Sequence, residues 1–524
     1  MAYALLSVSD KTGIVDLAKT LTKLKFQIIS TSGTYQHLAS HLKGVKLIPI
    51  QEITGNPESF DGRMKTISFQ IEGGILYDRK NKIHLKEARK LKVPKIDIVV
   101  CNLYPFEASP SIENIDVGGP TMIRAAAKNY ADVLILVDPR DYKRVSRHLI
   151  KCHSERSEES KKVRSFANAQ DGKFHKELAA KAFYHLSFYD SQIGRHLLKE
   201  KFPKEITLAG RKIKELRYGE NPHQKASFYL EPNTTSPLKN IQGYWGRQLS
   251  LTNLTDINAG ILAIRLFKEP SGVVIKHNSP CGIALGKTLD EALQRAIEAD
   301  PESAFGGVIV INSPLDLKTA KVIFKFKKDK RGLIDIVAAP SINNEALELL
   351  KKVRKSMGIY SFGEIKKDVK EVNWKWLIGG FILQESDNYI EKSFNSWEVV
   401  TKNKPTKSQL EKMRIAWKFA TFIRSNCIVV VDKNLPMTRG IGTGQTSRLR
   451  AVQIALKQAN THAKDGILAS DSFFPFDDCV KLAAKSGISA IVQQGDSIND
   501  DLSVKAANKA GIPMIFTHHR AFWH

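Results

Sequence analysis

Short apolar runs alternate with amphipathic stretches along the first 140 residues. YALLSVS, FQIIST, KLIPI, DIVVCNLY and VLILVDP are rich in branched side chains, which pack well on a pleated surface. The segments between them read as helices. This alternation predicts a parallel α/β architecture whose ligands sit at the carboxyl ends of the strands. The pattern then breaks. CHSERSEESKKVRSFANAQDGKF, residues 152–174, has too little apolar content to build a core and predicts a surface loop or disordered insertion. Residues 175–200 read as a helix. From 201 the alternation resumes with GVVIKH, FGGVIVIN, SNCIVVVD, GILASDS, ISAIVQQGD and PMIFTHH. The expected division is a first domain over 1–200 and a second over 201–524.

Composition narrows the class without choosing the chemistry. A chain of 524 residues exceeds what one core usually serves, so roughly two to four domains are expected. With 42% hydrophobic and 26% charged residues it reads as soluble. MAYALLSVSDKTG lacks the pattern of a signal peptide, and no apolar run approaches membrane-spanning length. Cysteines 101, 152, 281, 427 and 479 form no CxxC pair, which argues against a disulfide framework or zinc ribbon. A cytoplasmic protein with no membrane partner is expected.

The formal charge of +26 raises the possibility of nucleic-acid binding. Clustering rather than total charge marks such a site, however, and LKEARKLK or FKFKKDKR read as solvated helix faces. No RNP signature or zinc finger is present. Such a charge could attract nucleic acid or small phosphorylated and carboxylated substrates alike, and most of it reads as solvated lysine faces. A zinc nucleobase deaminase is a second rival, because His153-x-Glu155 and Pro280-Cys281 echo its motif. The required second cysteine is missing, since position 284 is alanine, and no metal is predicted.

Several turns carry chemistry-bearing side chains. SVSDKTG (7–13) and STSGT (30–34) follow apolar runs and precede helices, a placement that exposes N–H groups and hydroxyls to phosphate but equally suits ordinary capping. FDGRMKT (60–66) offers Arg63 and Lys65 after Gly62, and CNLYPF (101–106) ends a strand with Asn102 and Tyr104. IDVGGPTMIRAAAKN (115–129) puts Asp116 before a double glycine and Lys128 on the following helix. That lysine either snorkels to solvent or is held beside a carboxylate as a tuned acid or base. GVVIKHNSPCG (272–282) ends an apolar strand with Lys276 and His277 where the chain must turn. GIGTGQTSR resembles a phosphate loop but lacks its lysine, and reads as a tight turn with a ligand-facing arginine.

SVSDKTG, STSGT, GRMKT, CNLYPF and DVGGPTMIRAAAKN, in this order, resemble the IMP cyclohydrolase half of the bifunctional purine biosynthesis family. LRYGENPHQ, NLTDINAG, VVIKHNSPCG, SAFGGVIVIN, SNCIVVV, GIGTGQTSRL, ASDSFFPF and FTHHRAFWH resemble its formyltransferase half. The resemblance implies a Rossmann-like, methylglyoxal-synthase-like parallel-sheet domain. After it would come a C-terminal α/β region of two cytidine-deaminase-like subdomains. It implies formyl transfer from 10-formyltetrahydrofolate to the 5-amino group of 5-aminoimidazole-4-carboxamide ribotide, then dehydrative closure to IMP. It also implies a homodimer whose formyltransferase site spans the subunit interface.

Residue by residue, the resemblance implies Lys128 as proton donor or acceptor for closure, with Asp116, Tyr104 and Lys65 around the reacting groups. Ser9, Asp10, Lys11, Thr31, Ser32, Gly33, Thr34, Arg63, Thr66 and Asn102 would hold the nucleotide. For formyl transfer it implies His277 as proton acceptor, Lys276 as transition-state stabiliser and Asn426 as a donor to the formyl centre. Arg217, Tyr218, Phe473 and Arg520 would bind the ribotide; Arg448, Leu449, Asp478, Ser497 and Ile498 would line the folate side. One departure stands out. The family follows GRxKT with a His-Pro-containing run and a second His, whereas this chain reads ISFQIEGG over 67–74. An altered or impaired cyclohydrolase loop beside an active formyltransferase is the alternative that this departure raises.

Overall fold

A computed structural model of the chain describes residues 2–60, 63–158, 169–330, 332–366 and 372–524. The chain forms two compact units, Met1–Gly210 with Glu231–Asn233, and Arg211–Leu230 with Thr234–His524. The sequence pattern puts this division near residue 200.

In the first unit, β1 (Tyr3–Val8), β2 (Gln27–Ser30), β3 (Leu47–Pro49), β4 (Ile96–Asn102) and β5 (Leu134–Leu136) form one sheet in the order β3-β2-β1-β4-β5. Every pairing is parallel. All seven residues of β4, IDIVVCN, are buried, as expected for a strand covered on both faces. β1 sends its first crossover to β2 on one side and pairs with β4 on the other. The carboxyl ends of β1 and β4 therefore flank a topological switch point, where open α/β sheets form ligand crevices.

The second unit opens with a hairpin of β6 (Arg211–Glu215) and β7 (Ser227–Leu230) and holds two six-stranded sheets. One contains β8 (Gln242–Trp245), β9 (Ser271–Lys276), β10 (Ser279–Leu285), β11 (Gly307–Ile311), β12 (Ile334–Ala339) and β13 (Gly358–Ser361), ordered β10-β9-β11-β12-β13-β8. A further hairpin, β14 (Val372–Leu377) and β15 (Gly380–Glu385), leads to the other sheet. That sheet contains β16 (Glu398–Val399), β17 (Ile428–Val431), β18 (Thr438–Gly442), β19 (Ile467–Ser470), β20 (Ala490–Gln493) and β21 (Met514–Phe516), ordered β16-β21-β20-β19-β17-β18. The two orders are one topology used twice: an edge hairpin, three parallel strands and a short antiparallel strand at the far edge. The hairpin edges meet where Leu285 N donates to Pro436 O at 2.9 Å and Ile283 N to Thr438 Oγ1 at 3.1 Å.

Two expectations need correction. The strand bearing Lys276 does not belong to a parallel sheet, because β9 runs antiparallel to both β10 and β11. The run from Ser279 to Gly282, where the sequence predicts only a turn, is itself part of a strand: Pro280 and Gly282 are accommodated in β10 across a register shift. The polar tract is not a loop in its described parts either. Helices Tyr142–Glu158 and Ala169–Leu197 run into it from both sides. Residues 159–168 lie outside the described residues.

Candidate active sites

The carboxyl ends of β1 and β4 open into a cleft of about 680 Å³. Asn102, the last residue of β4, builds its floor. Its Oδ1 accepts Ser9 N at 2.6 Å and Asp10 N at 2.8 Å, while Nδ2 donates to Asp10 O at 3.0 Å. The amide thus fixes the loop after β1. Thr34, in the first turn of helix Ser32–His41, accepts Val8 N at 3.1 Å and Lys11 Nζ at 3.3 Å. Thr31, the residue before this helix, makes no side-chain cap, so the helix N-terminus keeps free N–H groups for an anion. Lys11 and Lys65 both line the cleft; burial and the repulsion of Lys65 hold the Lys11 ammonium below its ordinary pKa.

Lys65 meets the aromatic and acidic members of the set. Its Nζ donates to Tyr104 Oη at 2.9 Å. Burial works against its charge, but the Tyr104 hydrogen bond, with Glu58 and Asp116, raises its pKa overall. Asp116 accepts Gly119 N at 2.8 Å and stands at the start of helix Gly118–Lys128. Burial raises its pKa, against the pull of the Gly119 N–H and of Lys65. Thr66 is buried against the same helix: a Cβ at Gly118 would lie 2.1 Å from Thr66 Oγ1, so a glycine is needed there.

The ISFQIEGG departure has a definite structure. Ser68 caps helix Phe69–Leu76 through Ile71 N at 3.2 Å, and Glu72 accepts Ser68 N at 2.8 Å. The run therefore forms a capped helix directly after Lys65 and Thr66, and both of these still line the cleft.

The structure brings Ser9, Lys11, Thr31, Gly33, Thr34, Arg63, Lys65, Thr66, Asn102, Tyr104 and Asp116 to one cleft. Asp10 and Ser32 turn to other partners, Thr12 N at 2.9 Å and Glu58 at 2.5 Å. Arg63 pairs with Glu113 at 2.5 Å. Gly62 lies outside the described residues. Lys128 is not brought to Asp116 within the chain. It is the exposed last residue of its helix, and at 1.5 Å per residue it lies about 15 Å from the start that Asp116 caps. Glu113 and Tyr189 were not foreseen; Tyr189 Oη accepts Asp116 N at 2.9 Å and donates to Asn114 O at 2.7 Å. Nothing in their local sequence distinguishes them.

In the second unit, His277 and Asn278 are the central residues of the β9–β10 hairpin, with φ of 55° and 59°. Paired positive φ values define a type I′ turn, which matches strand twist but usually requires Asn-Gly. Here a buried carboxylate supports it: Asp256 Oδ1 accepts Asn278 N at 2.7 Å. Burial raises the Asp256 pKa, while that N–H and His277 lower it. Lys276 Nζ donates to Phe305 O at 2.9 Å. Asp256 was not singled out, although an acid in the apolar helix LTNLTDINAGILAI is a readable signal.

A second group surrounds the C-terminal segment. Asn426 Nδ2 donates to Gln445 O at 2.8 Å, which commits one of its amide hydrogens. Ser425 N donates to Trp523 O and Ala521 N to Asp471 O, each at 2.9 Å. Arg448 is buried and hydrogen-bonded to the fully buried Asp471. Its guanidinium lies 5.9 Å from the Phe522 ring, and Arg520 lies 4.6 Å from the same ring. Arg448 is thus committed to an internal ion pair, not presented freely to a folate carboxylate. Phe473 is half-buried beside the fully buried Phe474. Leu449 packs partly buried against the core. Asp478 begins helix Asp478–Lys485 and accepts Cys479 N at 2.7 Å. Ser497 N donates to Asp500 at 3.0 Å, and the neighbouring Ile498 is 103% exposed. Arg217 donates to Tyr218 Oη at 2.8 Å and stacks over its ring.

The deaminase rival finds no support. Cys281 Sγ donates to Val274 O at 3.3 Å, and burial pushes its thiol up to about 12. Among the described residues, no group of three or more His, Cys, Asp or Glu is placed to hold a metal. Among the described residues, no helix is long and apolar enough to cross a membrane.

Comparison with known proteins matches residues 126–458 to the AICARFT/IMPCHase bienzyme and residues 13–130 to the MGS-like domain. The bifunctional purine biosynthesis protein PurH of Thermoanaerobacter sp. (strain X514) is 43% identical, with 99% of each chain covered. PurH of Oceanobacillus iheyensis is 39% identical over the same share of both chains. PurH of Persephonella marina is also 39% identical, again with 99% of each covered.

Proposed function

The chain belongs to the AICARFT/IMPCHase bienzyme family, and from that premise we propose how its own residues divide the last two steps of purine biosynthesis. The enzyme formylates the ribotide of 5-aminoimidazole-4-carboxamide from a folate cosubstrate and closes the product to IMP. We take the donor to be 10-formyltetrahydrofolate, the compartment to be the cytoplasm, and the working form to be a homodimer. The first domain, 1–200, would carry ring closure, and the second, 201–524, formyl transfer.

For closure, the Lys11 and Lys65 ammonium groups and the open N-terminus of helix Ser32–His41 supply an anion site for the ribotide phosphate. The carboxamide nitrogen attacks the formyl carbon and a C–N bond forms; the carbinol oxygen then leaves as water as its C–O bond breaks, the formamide nitrogen giving up its proton and forming the C=N bond that completes the ring. Lys65, hydrogen-bonded to Tyr104, supplies a proton to that oxygen. Asp116, its pKa raised by burial, accepts one from nitrogen. Lys128 lies away from these groups, so proton transfer is assigned to Lys65, Tyr104 and Asp116.

For formyl transfer, the ribotide amine attacks the formyl carbon of the folate and His277 takes the amine proton. Lys276 and Asn426 face the oxyanion, and collapse breaks the C–N bond to the folate nitrogen, which is reprotonated. Arg217, Tyr218, Phe473 and Arg520 would hold the ribotide; Leu449, Asp478, Ser497 and Ile498 would line the folate side, with Arg448 behind them as a structural cation.

The single observation that carries the two-site reading is the cleft joining Lys11, Lys65, Tyr104 and Asp116, held within the first unit. His277 belongs to the second unit. Separate assays test it. His277→Ala should abolish formyl transfer and leave closure of supplied formylated ribotide intact, and Lys65→Met should do the reverse. Loss of both steps in either folded variant would overturn the division.

A further inference from the structure

Beyond the end of β21 the chain keeps following β20: Thr517 N donates to Gln493 O and His518 N to Gln494 O, both at 2.9 Å. There His518 takes a φ of 51°. Its ring stands between two carboxylates from different elements. Nδ1 lies 3.1 Å from Asp496 Oδ1, and Nε2 lies 3.0 Å from Glu398 Oε2 of β16. A neutral imidazole carries a single N–H, so it can donate to only one of these oxygens and would turn a lone pair toward the other. Serving both requires the imidazolium. Asp500, which accepts Ser497 N at 3.0 Å, also faces this ring electrostatically. One imidazole therefore answers three carboxylates: Asp496, Glu398 and Asp500.

Asp496 belongs to a loop whose shape is demanding. Gly495 and Asp496 both have positive φ, 80° and 66°, a conformation unfavourable for a non-glycine residue. The next two residues are Ser497 and Ile498. His519 anchors the other side of the clasp, with Nε2 3.1 Å from Asp387 Oδ2.

We propose that His518 is a positioning residue for the folate-binding loop, its imidazolium tying Asp496 to Glu398 and so fixing Ser497 and Ile498 for the cosubstrate. This rests on the reading that Ser497 and Ile498 meet the folate. Burial opposes the His518 charge, but the hydrogen bonds to Asp496 and Glu398 outweigh it and raise its pKa above the ordinary 6.5. The sign follows. The clasp is complete below 6.5 and is lost as pH rises through the raised value.

The test is steady-state formyl transfer by the full-length enzyme between pH 6 and 9, with 10-formyltetrahydrofolate and the ribotide varied separately. At pH 6.5, His518→Gln should raise the folate KM roughly three- to ten-fold, leaving kcat and the ribotide KM within about two-fold. The wild-type folate KM should climb with pH toward the variant's flat value. His518→Arg, which keeps the charge, should remove the pH dependence. An unchanged formyl-transfer kcat and ribotide KM in the same preparations report that the second unit, which holds His518, is folded. Equal folate KM values for wild type and His518→Gln at every pH would overturn the proposal. Ile498→Asp separates the two levels. If it raises the folate KM while His518→Gln does not, the clasp fails alone; if neither does, the folate assignment of the loop fails with it.

Discussion

Lys65 Nζ donates to Tyr104 Oη at 2.9 Å, with the Asp116 carboxylate on the wall of the same cleft. The phenol holds the ammonium by a hydrogen bond and the carboxylate acts on it through its charge, and the proposed closure draws its proton from this ammonium. Lys65→Met should lower cyclisation by roughly 10²- to 10⁴-fold, the range for a positioned acid or base. Tyr104→Phe removes only the orienting hydroxyl and should cost less. Formyl transfer should stay within about two-fold for both. Lys128→Ala, at the exposed end of its helix, should retain more cyclisation than Lys65→Met; the opposite ranking would restore Lys128 to the reacting centre.

The parallel sheet of the first unit was legible because its strands are short apolar runs separated by helix-length amphipathic stretches. The hairpin at His277 was not. His-Asn is an unusual I′ pair, and SPCGIAL contains two residues, Pro280 and Gly282, that normally end strands. The support for that turn, Asp256, lies 21 residues earlier, and no local rule connects them. The repeated topology of the second unit was equally hidden, since it lives in strand order and not in sequence similarity. Lys128 stands apart for another reason: within one chain its helix carries it about 15 Å from the end near Asp116, a separation that helical rise gives from the sequence alone.

Glu72 is a carboxylate in the first turn of helix Phe69–Leu76. Burial raises its pKa above the ordinary 4.5, against the hydrogen bonds from the Ser68 and Glu72 N–H groups. Its second oxygen is buried and makes no hydrogen bond. A raised carboxylate pKa means that the folded chain holds the proton more tightly than the unfolded one. The stability this confers is present below pH 4.5 and lost as pH rises through the folded value. Glu72→Gln should therefore melt higher than wild type at pH 7.5, with the difference vanishing below pH 4.5. Melting curves at the two pH values decide it, and an unchanged gap would mean that ionisation of Glu72 costs nothing.

Arg448 and Asp471 are buried together, 8% and 0% exposed. Removing one partner strands the other's charge, at a cost of about 3–5 kcal/mol. Arg448→Met should accordingly lower the melting temperature steeply, not merely raise the folate KM. The double variant Arg448→Met/Asp471→Leu should recover most of that loss, because well-packed apolar residues replace a buried pair at little cost. A stable Arg448→Met enzyme with only a folate defect would return this arginine to the ligand-binding surface.

Asp256 is the residue on which the His277 turn depends. Its carboxylate accepts Asn278 N at 2.7 Å from a buried position on helix Leu251–Ile264, and both central residues of the turn have positive φ. Without that acceptor, a half-buried N–H loses its partner and the hairpin loses the bond that holds its two non-glycine residues in place. Asp256→Ala should therefore reduce formyl transfer by about a hundred-fold through misplacement of His277, an effect of the size expected when a catalytic group shifts by an ångström. Asp256→Asn keeps an oxygen for Asn278 N while removing the charge beside His277. If the hydrogen bond is what matters, Asn should recover most of the rate. If the charge matters, Asn should resemble Ala at neutral pH and change the pH profile of kcat. Asn278→Gly, which relieves the positive φ at one position, adds a third reading: it should partly rescue Asp256→Ala in the first case and leave it unrescued in the second. Cyclisation should be untouched in all of these variants, because Asp256 and the Lys65–Tyr104 cleft belong to different units.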